Sequence, residues 1–118
     1  MRLKGKVAIV TGGGRGIGRE IAVLYAEEGA DVTVTARSLT EIEVVAEEIR
    51  ALGRIALAIP ADVSLEDQVK EMVRYTLDEF GKIDILVNNA GGAFETAHRS
   101  VWDLSLQEWQ AVLDINLT

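Results

Sequence analysis

The chain has 118 residues, enough for one domain, which at this size buries roughly two thirds of its unfolded surface without staples. It holds no cysteine and a single histidine, His98, which excludes disulfides and thiolate sites and argues against a zinc or other metal centre. Its 19 acidic residues against 12 basic ones, a net charge of −7, oppose a nucleic-acid footprint.

The opening MRLKGKVAIV carries an apolar run too short for a signal peptide, and no window approaches a membrane span. A soluble cytoplasmic protein is the expectation. Residues 6–10, apolar and rich in β-branched side chains, read as a buried strand closed by a glycine turn. Ile17, Ile21, Leu24 and Tyr25 recur at helical spacing as the apolar stripe of a first helix, with Gly29 placed as its C-terminal cap. Residues 32–36 read as a second strand. Ser38 and Glu41 form a capping box opening a helix that buries Ile42, Val45, Ile49 and Leu52 and stops at Gly53. Residues 55–59 are a third strand, ended by Pro60. Ser64 and Asp67 cap a third helix, with Val69, Met72, Val73, Leu77 and Phe80 on one face and Gly81 after it. Residues 83–88 are a fourth strand. A long loop carrying Phe94, His98 and Trp102 leads to a last helix opened by Ser105 and Glu108.

Strand and helix alternate, and connections of this length favour right-handed crossovers and a parallel sheet covered on both faces. That is a doubly wound α/β fold, or the first part of one. In the usual strand order, 3-2-1-4-5-6, the fourth strand would stand at the edge here, and its unpaired backbone would invite self-association.

Ligands of such sheets bind at the carboxyl ends of the strands. Strand one ends in Thr11-Gly12-Gly13-Gly14-Arg15-Gly16-Ile17-Gly18 and strand two in Ala36-Arg37-Ser38. Strand three leads into Asp62-Val63, and strand four ends in Asn88-Asn89-Ala90-Gly91. Gly12 suits a positive φ on leaving the strand. Gly16 and Gly18 let backbone N–H groups approach a pyrophosphate and let the helix pack closely on the sheet. A tight βα turn without a ligand is the plainer alternative. A P-loop is excluded, because Arg19 and Glu20 follow Gly18 where Lys and Ser or Thr are required. The spacing GxGxxG also fails, since Ile17 stands where its third glycine belongs; the stretch fits TGxxxGxG.

A ribose 2′-hydroxyl is held by an acidic residue about 20 positions past the glycine turn. Counting from Gly16 lands on Ala36, followed by Arg37, whose guanidinium suits a 2′-phosphate, with Arg15 approaching from the other side. A ribose 2′-phosphate is therefore favoured over a free 2′-hydroxyl. The alternative for Arg37 is an ordinary solvated charge ahead of a helix.

TGGGRGIG (11–18), Asp62-Val63, LVNNAG (86–91) and DINLT (114–118), in this order and setting, give the whole chain a resemblance to the short-chain dehydrogenase/reductase family. The resemblance implies a single Rossmann domain, here the first four βα units in the order 3-2-1-4. It implies hydride transfer between a nicotinamide cofactor and a small-molecule carbonyl or alcohol, in a homo-oligomer with no nucleic-acid or membrane partner. Basic residues at the places of Arg15 and Arg37 go with NADP in that family. Thr11, Gly12, Gly14, Arg15, Gly16, Ile17, Gly18, Arg37, Ser38, Asp62, Val63, Asn89, Ala90 and Gly91 fall on its cofactor site, with Asp62 accepting from the adenine amino group. The alternative for Asp62 is a charge favourable to the third helix dipole. Asn116 matches the family's catalytic asparagine, part of a water-linked proton relay.

The family's serine and Tyr-x-x-x-Lys pair are not found: the two tyrosines read Tyr25-Ala-Glu-Glu-Gly29 and Tyr75-Thr-Leu-Asp-Glu79. These residues by themselves are expected to lack carbonyl reductase activity, as the cofactor half of an enzyme interrupted before strand five. The alternative is an inert nucleotide-binding or self-associating fragment. Reductases of 3-oxoacyl thioesters and sugar or polyol dehydrogenases both resemble the chain.

Overall fold

The computed structural model describes residues 2–89; Phe94, His98, Trp102 and the last helix expected from the sequence lie outside them. Val7–Thr11 (β1), Gly16–Glu27 (α1), Asp31–Ala36 (β2), Leu39–Ala51 (α2), Ala56–Pro60 (β3), Glu66–Phe80 (α3) and Ile85–Asn88 (β4) alternate along the chain. The strands form one sheet in the order β3-β2-β1-β4, every pair parallel. This is the doubly wound Rossmann topology. β1 is buried at all its positions because it has a strand on each side and a helical layer on each face.

Alternate residues of each strand serve different layers. Val10, Val32, Val34 and Ala56 pack under α1 and α2 with Ala22, Ala26, Ile42, Val45, Ala46 and Ile49. On the opposite face Ile9 packs with Val69, Met72 and Val73 of α3 and with Ala61, Val63 and Ile83. Within that second layer the Thr33 and Thr76 hydroxyls share a buried hydrogen bond of 3.0 Å. Between helices, Arg19 on α1 grips Glu48 on α2 with two nitrogens, the shorter contact at 2.7 Å. No basic residue lies in the last turn of α1, and Arg54 from the α2–β3 turn supplies one, its Nε donating to the Ala26 carbonyl at 3.2 Å.

Within residues 2–89 the expected strands and helices form, with shifts that have physical causes. β4 begins at Ile85 rather than at residue 83, because Ile83 is buried in the core and Asp84 turns to accept the Val7 N–H at 2.8 Å. The stripe expected on α1 is half right: Ile21 and Tyr25 are half-buried against the core, but Ile17 is 67% exposed and Leu24 53%. Gly18, Ala22 and Ala26 face the sheet instead, since the helix sits so close that only small side chains fit beneath it. Gly29 does follow the C-terminal cap, at φ +103°. α2 starts as expected, with the Ser38 hydroxyl accepting the Glu41 N–H at 3.3 Å, but Leu52 is its exposed C-cap rather than a core residue. α3 is not capped by Ser64; its N-cap is Leu65, with no side-chain bond, because Ser64 is taken by Asp62. Gly81 ends it in the left-handed conformation, at φ +78°. Among the described residues no helix is long and apolar enough to cross a membrane.

Candidate functional site

Parallel strands in register bring their carboxyl ends to one edge, where Thr11 lies between Thr35 of β2 and Asn88 of β4, and Ala36 pairs with Pro60 of β3. The glycine turn crosses this edge. Gly12 and Gly16 take φ of +65° and +60°, a region that costs a side chain roughly 1–2 kcal/mol. The Gly13 N–H donates to the Thr35 carbonyl at 3.2 Å, tying the turn to β2. A Cβ on Gly18 would overlap the Gly12 carbonyl and approach Asn89 Nδ2 to 2.7 Å. The first turn of α1 therefore lies directly on the end of β1.

That first turn has open donors. Arg15 is the N-cap in extended backbone, no side chain among the described residues caps the helix, and no acidic residue lies in the first turn. The leading N–H groups of a helix have no partner within it, and they carry its positive end. Gly16 and Ile17 are exposed beside them. Bare backbone, free donors and exposed cations fit the pyrophosphate of a dinucleotide.

Two predicted site residues are held beneath this surface. Thr11 is buried; its hydroxyl donates to the Val87 carbonyl at 3.3 Å and accepts the Asn89 N–H at 2.8 Å. It fixes where Asn89 leaves β4, which is a positioning task. Val63 contributes its side chain to the α3 core, so only its backbone is left for a ligand.

The ends of β2 and β3 supply the charges. Arg37 is exposed and has no hydrogen bond or ion pair among the described residues, and Ser38 next to it caps α2. Asp62 Oδ1 accepts both the Ser64 hydroxyl, at 2.6 Å, and the Ser64 N–H, at 2.9 Å. These two bonds hold the Asp62 carboxyl below its usual range; burial opposes them, and the positive charge of Arg37 adds to them. The last contribution places Arg37 and Asp62 within each other's field. Ala90, Gly91 and Asn116 lie outside the described residues.

One residue of this edge escaped the sequence. Glu41 reads as the glutamate of a capping box, yet its carboxylate makes no bond to the Ser38 N–H. It lies over Gly14 and beside Arg15, with Arg15 Nε and Glu41 Oε2 4.0 Å apart. The available signal was its place in the first turn of the helix that follows the β2 end.

Comparison with known proteins agrees with this geometry. The family model described as short chain dehydrogenase matches residues 6–118. A 3-oxoacyl-acyl-carrier-protein reductase, FabG, of Staphylococcus epidermidis is 47% identical over 113 residues, covering 95% of this chain and 45% of the relative. A short-chain dehydrogenase/reductase mutant from Serratia marcescens superposes with a TM-score of 0.83 at 38% identity, over 95% of this chain and 53% of that one. The apo-form glucose dehydrogenase of Caenorhabditis elegans gives a TM-score of 0.73 at 40% identity, over 97% and 49%. The chain spans about half the length of the relatives it matches.

Proposed function

The chain belongs to the short-chain dehydrogenase family, and from that premise we propose that these residues are the cofactor-binding portion of an NADP-dependent oxidoreductase. The substrate class is a small carbonyl or alcohol compound. One relative is named a 3-oxoacyl-acyl-carrier-protein reductase, for a carbonyl, and another a glucose dehydrogenase, for an alcohol. The observation that carries the reading is the end of β2. Ala36 stands where a carboxylate would hold a ribose hydroxyl, and Arg37 follows it, exposed and without an ion pair among the described residues.

The nicotinamide supplies or accepts the hydride when the cofactor is bound. The part of this chain is to hold and orient it. The open N–H groups at the start of α1 would take the pyrophosphate, and Gly12, Gly16 and Gly18 keep that surface bare. Arg37 and Arg15 would take the 2′-phosphate, with Ser38 beside them. Asp62, ionised and fixed by Ser64, would accept from the adenine amino group. Asn89, Ala90 and Gly91 would belong to the cofactor site, and Asn116 would act in the proton relay. NAD is the weaker choice of cofactor, and a homo-oligomeric cytoplasmic enzyme is the expected setting.

Fluorescence titration with NADPH and NADH tests the reading. Tighter binding of NADPH is expected, and equal binding of the two would sink the NADP assignment.

A second reading has one observation in its favour. Among the described residues β4 pairs only with β1, leaving its other edge open. Residues 1–118 on their own would then bind nucleotide without catalysing turnover, and would self-associate through that edge. Light scattering after size exclusion distinguishes self-association from a monodisperse monomer. Steady turnover of a carbonyl by the 118-residue polypeptide would exclude the inert reading.

A further inference from the structure

Gly14 is bare for a reason other than a ligand. A Cβ there would stand 3.0 Å from Glu41 Cβ and 3.1 Å from Glu41 Oε2, so the glutamate side chain occupies the space that a side chain at position 14 would fill. Glu41 is anchored from behind, its N–H held by the Ser38 hydroxyl at 3.3 Å. Its carboxylate lies toward the glycine turn, 4.0 Å from the Arg15 guanidinium nitrogen Nε. The neighbouring cations are placed differently. Arg19 is committed to Glu48, and Arg37 has no ion pair among the described residues. Of the two arginines assigned to a 2′-phosphate, Arg15 is thus already facing an anion.

We propose that Glu41 is a specificity-determining residue, holding Arg15 at the mouth of the glycine turn so that a ribose 2′-phosphate competes with its carboxylate for the guanidinium. The inference rests on the NADP reading above. It follows that NADP pays an exchange penalty that NAD, lacking the 2′-phosphate, does not, and that the preference for NADP is smaller than two free arginines would give. Arg15 is 86% exposed and Glu41 43%, so the exchange is modest in size.

The test is a set of NADPH and NADH titrations on the full chain carrying Glu41→Gln, which keeps the length of the side chain and the Ser38 cap. NADPH binding is expected to tighten about two- to five-fold, the range of an exposed ion pair, with NADH changed by less than that. In a second variant, Arg15→Ala with Glu41→Gln, the gain over Arg15→Ala alone is expected to vanish. Unchanged or weaker NADPH binding in Glu41→Gln would overturn the proposal, as would an equal gain for both cofactors or a gain that persists without Arg15. A selective loss of NADH would also overturn it, by making Glu41 a ligand of the ribose hydroxyls. Arg37→Ala serves as the control on the parent reading. If it weakens both cofactors equally, the NADP assignment itself fails; if it is selective while Glu41→Gln does nothing, only the role of Glu41 fails. Thermal melts of each variant show whether the fold is retained.

Discussion

The carbonyl oxygen of Gly12 lies against the Cα of Gly18, with no room between them for a methyl group. This contact seats α1 on the end of β1 and aims its open N-terminus across the strand edge. Gly18→Ala forces either the turn or the helix to move, at an overpacking cost of about 1–3 kcal/mol. The loss should appear in both the thermal midpoint and the affinity for NADPH. Gly16→Ala is the informative contrast. It meets open space but requires a side chain at φ +60°, so its cost is backbone strain alone, about 1–2 kcal/mol. A Gly18→Ala protein with undiminished midpoint and NADPH affinity would show that this close approach carries neither.

Two threonines on the same face of β2 make opposite predictions. Thr33 is buried and bonded to Thr76, whereas the buried hydroxyl of Thr35 has no partner among the described residues. Thr35→Val keeps the shape and removes an unmatched polar group, whose burial costs about 1–3 kcal/mol. The midpoint should rise. Thr33→Val breaks a bond worth about 0.5–1.5 kcal/mol, and the midpoint should fall. A lower midpoint for Thr35→Val, measured by calorimetry beside Thr33→Val, would mean that a partner such as an ordered water serves that hydroxyl.

The fold was legible because strands and helices differ in period and most turns are marked by glycine or proline, the β2–α2 turn by the Ser38 cap instead. Val7–Thr11, for example, needs only an apolar β-branched run closed by Gly12 to be placed. Half of the α1 stripe failed for an instructive reason. Ile17 and Leu24 have the right spacing for a core face, but the interface beneath α1 is too tight for them, and hydrophobicity gives way to size. The Ser64 cap failed because Ser64 has two possible partners, and Asp62 is nearer in the turn than the amide at the start of α3. The glycines and Arg37 could be placed from strand ends alone. Glu41 could not, because its approach to Arg15 depends on how α2 packs across the glycine turn, which no spacing along the chain expresses.

Asp84 gives the fold an acid limit. Burial works to raise its carboxyl, but the Lys82 ammonium, 3.0 Å away, and the Val7 N–H together hold it below the ordinary value of 3.8. The folded value is thus lower than the unfolded one. Its contribution to stability is fully present above the unfolded value and is lost as pH falls through 3.8 toward the folded value. Asp62 acts with the same sign. Asp84→Asn should lower the midpoint at pH 7 and flatten its decline below about pH 5. An acid limb as steep as that of the unsubstituted protein would assign the decline to other carboxylates.

Arg37→Ala is the decisive substitution for cofactor choice. A hydrogen bond to a charged group is worth about 1.5–3 kcal/mol, which corresponds to roughly 10- to 100-fold in affinity. NADPH binding should weaken by that order while NADH changes little, since only the former carries the 2′-phosphate. The residue is exposed and bears no ion pair among the described residues, so its removal leaves no buried group unmatched and should barely shift the midpoint. Salt provides a second reading of the same contact. Charges exposed in this way are screened over about 8–10 Å near physiological ionic strength, so the margin of NADPH over NADH should narrow as salt rises. In Arg37→Ala that dependence should shrink. A variant that loses NADPH and NADH in equal measure would instead mark Arg37 as a support for the β2–α2 turn, with the 2′-position unread by it.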